Sequence, residues 1–265
     1  LAFQGIWSHK MRSFLTMLGI IIGIASIIAI VSTIKGTSEQ IKEDLIGSGS
    51  NTVNIYLYDG DNRYDSEYGS TTSQTPILTD DVKDKIHDLD HVENATFYYN
   101  SSNATIYNNN NSLQGGSVYG IDVNYLATCG YVVQSGRGFV TDDYKKYNKV
   151  ALIDDNAAQN LFPSENPVGK TVEINQEPYI VVGVIRQNEN YQPTISNLTD
   201  YYTYQENIIG NVMIPDSCWP ISFKFDVPQN AVVKADSTDT MSTVGNDAAE
   251  VLNEMIPSAG NGKTS

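Results

Sequence analysis

The chain has 265 residues, with 31 acidic and 16 basic residues and a formal net charge of −15 at pH 7. Four basic and three acidic residues lie before position 51, so the rest of the chain carries nearly all of the negative charge. This balance argues against nucleic acid as a partner, because nucleic-acid binding needs clustered Lys and Arg to displace counterions. It also argues against docking of the acidic part on an anionic lipid surface.

The first element is an apolar run from Phe14 to Ile34, 21 residues without a charge or a proline. A helix of this length spans about 31 Å, close to the hydrocarbon thickness of a bilayer. A cleaved signal peptide is the alternative, but its apolar core would be about 7–15 residues long and would end at a small-residue cleavage site. We therefore predict one transmembrane helix over about 14–34. Within it, Gly19 and Gly23 form a small-xxx-small pattern that would allow close packing of a second helix.

The flanking residues predict the orientation of this helix and its extension. Lys10 and Arg12 precede the apolar run, which favours a cytoplasmic N-terminus and an extracytoplasmic location for the residues after about 35. Thr37 to Leu45 contains good helix formers, and Gly47 and Gly49 then favour helix termination. Residues 1–50 are thus predicted to form a juxtamembrane segment, a membrane span and a rigid stalk.

The remaining residues alternate between strand and helix patterns. Strand patterns cover Thr52–Tyr58, Val92–Tyr99, Ala104–Tyr107, Ser117–Ile121, Lys149–Ile153, Thr171–Ile174, Tyr179–Ile185, Asn211–Pro215, Ser222–Val227 and Ala231–Ala235. Helix patterns cover Asp80–Leu89, capped by the Thr79 side chain, then Asp155–Phe162 and Val244–Met255. Between Tyr125 and Gln187 the elements are short and mostly strands, which favours an inserted β-rich unit.

Two long polar loops, Asp59–Pro76 and Gln187–Gly210, are predicted to lie on the surface. The first carries three aspartates that suggest a calcium loop. An EF-hand loop starting at Asp59 needs Gly at its sixth position and Glu at its twelfth, where Tyr64 and Ser70 stand. A solvated loop is the better interpretation.

Two other motifs suggest chemistry that their context does not support. Gly169-Lys170-Thr171 ends like a phosphate-binding loop, but Ser164 stands where that loop needs glycine, and a strand pattern follows. His87 and His91 have the spacing of metal ligands on a helix, but no third ligand is near them in sequence.

The sequence contains no nucleophile elbow, no CxxC motif and no distinctive carboxylate pair, so we predict no catalytic, cofactor-binding or metal-binding residues and no enzyme activity. Two cysteines, Cys129 and Cys218, allow one disulfide. The sequence leaves open whether they pair or stay as two buried thiols.

Six motifs, in this order, resemble those of a known family. They are Lys10-Met-Arg-Ser-Phe-Leu-Thr-Met-Leu-Gly-Ile-Ile-Ile-Gly23, Tyr119-Gly-Ile-Asp122, Gly136-Arg-Gly-Phe139, Asn166-Pro-Val-Gly-Lys170, Val181-Val-Gly-Val184 and Val212-Met-Ile-Pro215. Together they cover most of the chain and are similar to MacB-type ABC transporter permeases of the FtsX-like superfamily. The Gly-Lys pair that imitates a phosphate-binding loop is explained by the Asn-Pro-x-Gly-Lys turn of that family.

The resemblance implies a membrane-anchored α+β protein with a two-lobed extracytoplasmic domain. Residues 51–124 and 210–265 would form a mixed α/β lobe that resembles the Porter subdomain of the family. Residues 125–209 would form an inserted β-rich lobe that resembles the Sabre subdomain. Family members have three more spans after this domain, so the resemblance also implies a segment of a longer permease.

The function implied by the resemblance is part of an ABC exporter for antimicrobial peptides, toxins or drugs. Its partners would be an ATP-binding subunit, a membrane-fusion or adaptor protein, the lipid bilayer and a second permease copy, with no nucleic acid and no cofactor. The helix over 14–45 would transmit ATP-driven motion, and the two long loops are candidates for adaptor contact. The alternatives are a single-pass receptor or sensor, and a regulator or lipoprotein releaser that uses the same lever. The weakly charged, Asn- and Tyr-rich composition is compatible with a Gram-positive, single-membrane bacterium.

Overall fold

The computed structural model describes residues 10–47, 51–59, 62–63, 77–188, 209–225 and 227–255. Contacts divide the chain into two units, Leu1–Leu45 and Ile46–Ser265. Most of the polar loops Asp59–Pro76 and Gln187–Gly210 lies outside the described residues, and so do Asp61 and Asp65. The calcium interpretation and the adaptor contacts of these loops are therefore untested.

The described part of the first unit belongs to one helix, α1, which runs from Lys10 to Gly47 without interruption. The predicted membrane span and the predicted stalk are thus parts of one helix, which ends at the glycine where termination was expected. The continuity follows from the sequence, because no proline occurs in these 38 residues. Residues Phe14 to Ile34 continue directly into the more polar second half.

The second unit combines short helices with one large sheet. The helices are α2 (Asp80–His87), α3 (Tyr125–Thr128), α4 (Thr141–Lys145), α5 (Asp155–Leu161), α6 (Trp219–Ser222) and α7 (Met241–Asn253), and a 3₁₀ turn covers Asp216–Cys218. The strands are β1 (Thr52–Ile55), β2 (Tyr58–Asp59), β3 (Asn62–Arg63), β4 (Val92–Ser101), β5 (Ile106–Asn108), β6 (Asn111–Ser112), β7 (Ser117–Ile121), β8 (Tyr131–Gly136), β9 (Val150–Asp154), β10 (Thr171–Ile174), β11 (Glu177–Gln187), β12 (Asn211–Pro215) and β13 (Asn230–Ala235).

Eleven strands form a continuous mixed sheet in the order β1-β13-β4-β7-β12-β9-β11-β10-β5-β6, and β8 pairs with β11. The pairs β7–β12 and β9–β11 are parallel, and the other pairs are antiparallel. Strand β12 lies between β7 and β9, so residues after 210 pair with residues from both earlier segments. The division into two lobes at about 125 and 209 stays a prediction.

The core of the second unit consists of three apolar clusters. One packs α5 and the central strands around Ile153, Val181 and Trp219. A second packs α2 and α7 on β4 and β13, with Ile86 and Val244 at full burial. The third is rich in tyrosine and lies around α3. The apolar side of α5 therefore covers the central strands, and the apolar sides of α2 and α7 cover β4 and β13.

The strand pattern predicted for Ser222–Val227 is wrong. Residues up to Ser222 form the short helix α6, and no strand is found in the described residues between α6 and β13. A strand would place Phe223 and Phe225 on one face. Instead Phe223 stacks on Trp219, four residues earlier in the chain, and Phe225 is 74% exposed.

Two further details differ from the sequence-based predictions. Strand β8 was missed because Val132 to Gly136 are all exposed, so the alternation that reveals a half-buried strand is absent. Helix α2 begins at Asp80 as expected, but the Thr79 side chain makes no capping bond. Instead the Thr79 carbonyl accepts from Val82 and Lys83, and the helix ends at His87 rather than Leu89.

Candidate functional site

The membrane-spanning candidate is the stretch Met17–Ile34 of α1, which is long and apolar enough to cross a bilayer and none of which is buried. Its large side chains stand open, for example Ile20 at 63% exposure. Two of its hydroxyls bond within the helix, since Ser26 Oγ donates to the Ile22 carbonyl and Thr33 Oγ1 donates to the Ala29 carbonyl. Polar groups satisfied in this way cost little in hydrocarbon.

Three of the family-like motifs meet at β11. Gly136, at the end of β8, lies opposite Gly183 of β11 and has a φ of +78°. A Cβ at Gly136 would overlap the Val182 carbonyl oxygen, so the close approach requires glycine there. On the other side, Gly169 N donates to the Val181 carbonyl at 2.7 Å. These motifs are therefore contacts that build the sheet.

The turn that imitates a phosphate-binding loop has the same structural role. Gly169 has a φ of +86°, and strand β10 rather than a helix begins at Thr171. Val181 N donates to the Lys170 carbonyl, and the Lys170 ammonium lies 3.1 Å from a Glu165 carboxylate oxygen. Because the backbone groups of this turn bond to β11, they do not form a phosphate cradle.

An ion pair anchors the residue that follows Gly136. The Arg137 guanidinium donates to both carboxylate oxygens of Asp143, at 2.7 and 3.3 Å. Asp143, whose side chain is 1% exposed, also accepts from Val140 N and from Asn148 Nδ2. Burial alone would raise the pKa of Asp143, but these hydrogen bonds outweigh it and hold that pKa below its usual value.

The residues nearest to a chemical site are Asp122 and Asp216. They directly follow the parallel neighbours β7 and β12, whose last residues, Ile121 and Pro215, are paired. The carboxyl ends of parallel strands are common ligand positions in α/β sheets. Sequence analysis placed Asp122 in a family-like motif but gave it no chemical role, and it did not single out Asp216, although each residue comes directly after a correctly predicted strand.

Burial governs the electrostatics of this pair. It raises the pKa of Asp216 to about 6, with the positive charge of Lys83 opposing the rise and Asp122 adding to it. Burial also raises the pKa of Asp122, although Thr96 Oγ1, Phe97 N and Asn124 N all donate to its carboxylate. Among the described residues, no group of three His, Cys, Asp or Glu side chains is placed to hold a metal. Asp216 can therefore hold a proton up to about pH 6.

The two histidines of the sequence pattern have separate partners. His87 Nε2 lies 3.5 Å from Asn124 Nδ2, whereas His91 Nδ1 lies 2.8 Å from Asp236 Oδ2. The hydrogen bond and the charge of Asp236 raise the pKa of His91. His87 and His91 therefore bond to different residues and do not point at a shared metal position.

The two cysteines are free and buried in different clusters. Cys218 Sγ donates to the Asn148 carbonyl at 3.3 Å, and burial raises the pKa of both thiols. The structure therefore selects two buried thiols over a disulfide, the choice that the sequence had left open.

Comparison with known proteins decides the family. A profile described as the MacB-like periplasmic core domain matches residues 13–251. The chain belongs to this family. The match confirms the resemblance to MacB-type permeases that the six motifs indicated. It gives the chain the extracytoplasmic mixed α/β domain of a family in which this domain is not catalytic.

Two MacB-like relatives show how much of a permease the chain represents. It is 34% identical over 262 residues to the uncharacterized ABC transporter permease YvrN of Bacillus subtilis, covering 98% of this chain and 61% of YvrN. It is 35% identical over 191 residues to the macrolide export ATP-binding/permease protein MacB of Neisseria gonorrhoeae, covering 72% of this chain and 28% of MacB. The chain thus spans less than two thirds of either relative.

Solved structures support the fold. The periplasmic region of MacB from Actinobacillus actinomycetemcomitans matches with a TM-score of 0.55 and 23% identity, covering 82% of this chain and 89% of that one. The extracellular domain of the noncanonical ABC-type transporter YknZ from Gram-positive bacteria matches with a TM-score of 0.54 and 19% identity, covering 77% and 93%. At this identity the likeness concerns the MacB-like fold alone.

Proposed function

We propose that the chain is the first membrane span and the extracytoplasmic domain of a longer ABC exporter permease. The observation that carries the proposal is the continuity of α1, whose 38 residues combine an apolar stretch with a more polar extension. A helix of this length measures about 57 Å, whereas the hydrocarbon layer is about 30 Å thick. Roughly 25 Å of helix therefore extends beyond the hydrocarbon layer.

An unbroken helix can transmit displacement because its backbone hydrogen bonds resist bending and stretching. In the proposed mechanism, ATP hydrolysis by a cytoplasmic ATP-binding subunit moves α1, and α1 moves the extracytoplasmic domain. The N-terminus is cytoplasmic, and the permease works as a homodimer with Gly19 and Gly23 at the helix contact. Among the described residues, none outside α1 lies within 4 Å of a Cβ added at these glycines, which leaves room for a partner helix.

The proposed cargo is an antimicrobial peptide, a toxin or a drug, exported with a membrane-fusion or adaptor protein. Support comes from the relatives, since the N. gonorrhoeae protein is a macrolide exporter by name. The source in a Gram-positive, single-membrane bacterium stays a prediction, because the relatives include both B. subtilis and N. gonorrhoeae proteins.

The test uses the full-length permease purified with its bound subunits. Recovery of a Walker-type ATPase is the first expected result, and a receptor or sensor would yield none. The second step compares Gln40→Pro with Gln40→Ala in the polar half of α1. Proline removes a helix hydrogen bond and kinks the helix, whereas alanine preserves it.

We expect the proline variant to retain ATP hydrolysis but lose at least about tenfold in export, while the alanine variant exports normally. A tenfold loss corresponds to about 1.4 kcal/mol, less than the roughly 3 kcal/mol that an interior proline costs a helix. If the proline variant exports normally although its loss of helicity is measured, α1 does not act as the lever.

A further inference from the structure

A cavity of about 490 Å³ lies on the second unit between the end of β4, the β10–β11 turn, residues 219–225 and Val227. Its lining includes Ser101, Asn175 and the aromatic residues Trp219 and Phe223. This volume lies within the range of small-ligand pockets, about 300–1,000 Å³. No residue of the six motifs and none of α1 is among the described residues that line this cavity.

A stack of three aromatic rings reaches the cavity, and two of its members, Trp219 and Phe223, line it. Tyr99 stacks on Trp219 with centroids 5.2 Å apart, and Trp219 stacks on Phe223 at 4.0 Å, both at 14° between planes. Trp219 is 1% exposed, whereas Phe223 is only partly buried and lines the cavity. Gly120 makes this stack possible, because a Cβ there would lie 2.7 Å from the Trp219 ring. The cavity thus has an aromatic surface to which another ring can be added.

Hydrogen bonds fix the wall before any ligand binds. Trp219 Nε1 donates to the Lys224 carbonyl at 3.1 Å. Asn175 Nδ2 donates to the Ser222 carbonyl at 3.1 Å, and the Tyr179 hydroxyl lies 2.7 Å from Ser222 Oγ. Because these bonds join α6 to the β10–β11 hairpin, little ordering is needed when a ligand enters.

The charge of the cavity differs from that of the chain. Lys224 is the only ionisable residue among the described lining residues, in a chain with 31 acidic and 16 basic residues. None of the ion pairs found among the described residues involves its ammonium group. Lys224 therefore offers a positive group to a ligand at this wall of the cavity.

Apolar surface continues outside the cavity. Ile221 at its rim is 38% exposed, and Phe225 on the same segment is 74% exposed. A ligand that covers these side chains as well as the aromatic wall must be larger than a single ring, which favours a peptide over a small metabolite.

We propose that this cavity binds a peptide in which an aromatic side chain stands next to a carboxylate. The ring packs against Phe223, and the carboxylate pairs with Lys224. This inference goes beyond the permease function proposed above and does not depend on it, because it concerns binding by this chain alone.

The test uses the full chain in detergent, with Trp7→Phe so that Trp219 is the only tryptophan. Three blocked dipeptides serve as probes: acetyl-Asp-Phe-amide, its uncharged analogue acetyl-Asn-Phe-amide, and acetyl-Asp-Ala-amide, which lacks the ring. None absorbs at 295 nm, so Trp219 fluorescence reports binding. Calorimetry, with empty micelles as the blank, provides a second measurement.

We expect saturable binding of the Asp-Phe probe. The Asn-Phe probe should bind about threefold more weakly, because an exposed ion pair is lost. The Asp-Ala probe should bind at least roughly tenfold more weakly, because it lacks the aromatic ring. Lys224→Gln retains the carbonyl that accepts from Trp219 and should abolish the preference for Asp over Asn. Lys146→Gln, the matched control directly after α4, should keep that preference, since Lys146 pairs with Asp142 instead.

Phe223→Ala would remove a ring that stacks on the buried Trp219, so Ile221→Ser tests the apolar rim at an exposed position instead. We expect it to weaken Asp-Phe binding about twofold to threefold with unchanged unfolding, because part of its apolar contact with the peptide is lost. Absence of saturable binding by both methods, equal affinity for the three probes, or an unchanged preference in Lys224→Gln would each overturn the proposal.

Discussion

Substitution of Asp143 by Asn should destabilise the second unit by about 2–4 kcal/mol. The side chain keeps its size, but the amide has one acceptor oxygen and an NH2 group where the carboxylate accepted from Arg137, Val140 N and Asn148. At least one buried donor then faces another donor. A hydrogen bond to a charged group contributes about 1.5–3 kcal/mol, and an unsatisfied buried group costs about 1–3 kcal/mol.

The partial exposure of Arg137, at 45%, lowers the expected cost, because water can replace part of its lost interaction. The neighbouring carboxylate provides the control. Asp142 is 61% exposed and pairs with Lys146 one turn away, so Asp142→Asn should cost less than about 1 kcal/mol. The two variants carry the same chemical change at adjacent positions of α4.

The assay is urea unfolding in mild detergent, followed by Trp219 fluorescence in the Trp7→Phe background. With a slope of about 2 kcal/mol per M, Asp143→Asn should lower the midpoint by about 1–2 M and Asp142→Asn by less than about 0.5 M. Since the folded-state pKa of Asp143 is lowered, its contribution is complete above the unfolded pKa of about 4 and is lost as pH falls below it. Equal midpoints for the two variants at pH 7 would refute the reasoning.

Two further predictions concern the sheet and its buried carboxyls. Gly136→Ala should destabilise the second unit by about 2–4 kcal/mol, because Gly136 has a φ of +78° and an added Cβ would overlap the Val182 carbonyl. Gly138→Ala is the control and should cost less than about 1 kcal/mol, because a Cβ there makes only ordinary contacts, the nearest at 3.6 Å. Similar urea midpoints for these two alanine variants would mean that β8 can shift to relieve the overlap. The second prediction concerns Asp216, whose pKa is raised by burial to about 6, so the folded state holds more protons than the unfolded state between about pH 4 and 6. Stability should therefore fall as pH rises through this window, and Asp216→Asn should flatten the dependence. An identical pH profile for the variant would show that Asp216 is more hydrated than its surroundings imply.

Much of the secondary structure is encoded locally. Strands β7, β10 and β12 have the predicted bounds, because short apolar or alternating runs between turn residues identify buried strands. Strand β8 and the segment 222–227 were misjudged because their patterns depend on what lies against them. Each error occurs where a neighbour, rather than the local sequence, determines burial.

The candidate sites were much less predictable. Asp122 and Asp216 are 94 positions apart in the sequence and become neighbours only because β7 and β12 pair in parallel with one particular register. Trp219 and Phe223 are four residues apart, but their stack faces a cavity only because the β10–β11 turn supplies the opposite wall. Pairing and register are set by non-local contacts, which periodicity does not reveal.

The sequence by itself determined the apolar helix, the helical continuation to Gly47, the acidic character of the rest and, through the order of its motifs, the MacB-like family. These properties depend on composition and on residues close in the chain. Only the tertiary structure decided that the motif glycines Gly136 and Gly183 face each other, that Cys129 and Cys218 stay apart, and that one lysine lies beside an aromatic cavity. Those properties depend on which distant surfaces pack together to bury apolar area, and folding of the whole domain sets that choice.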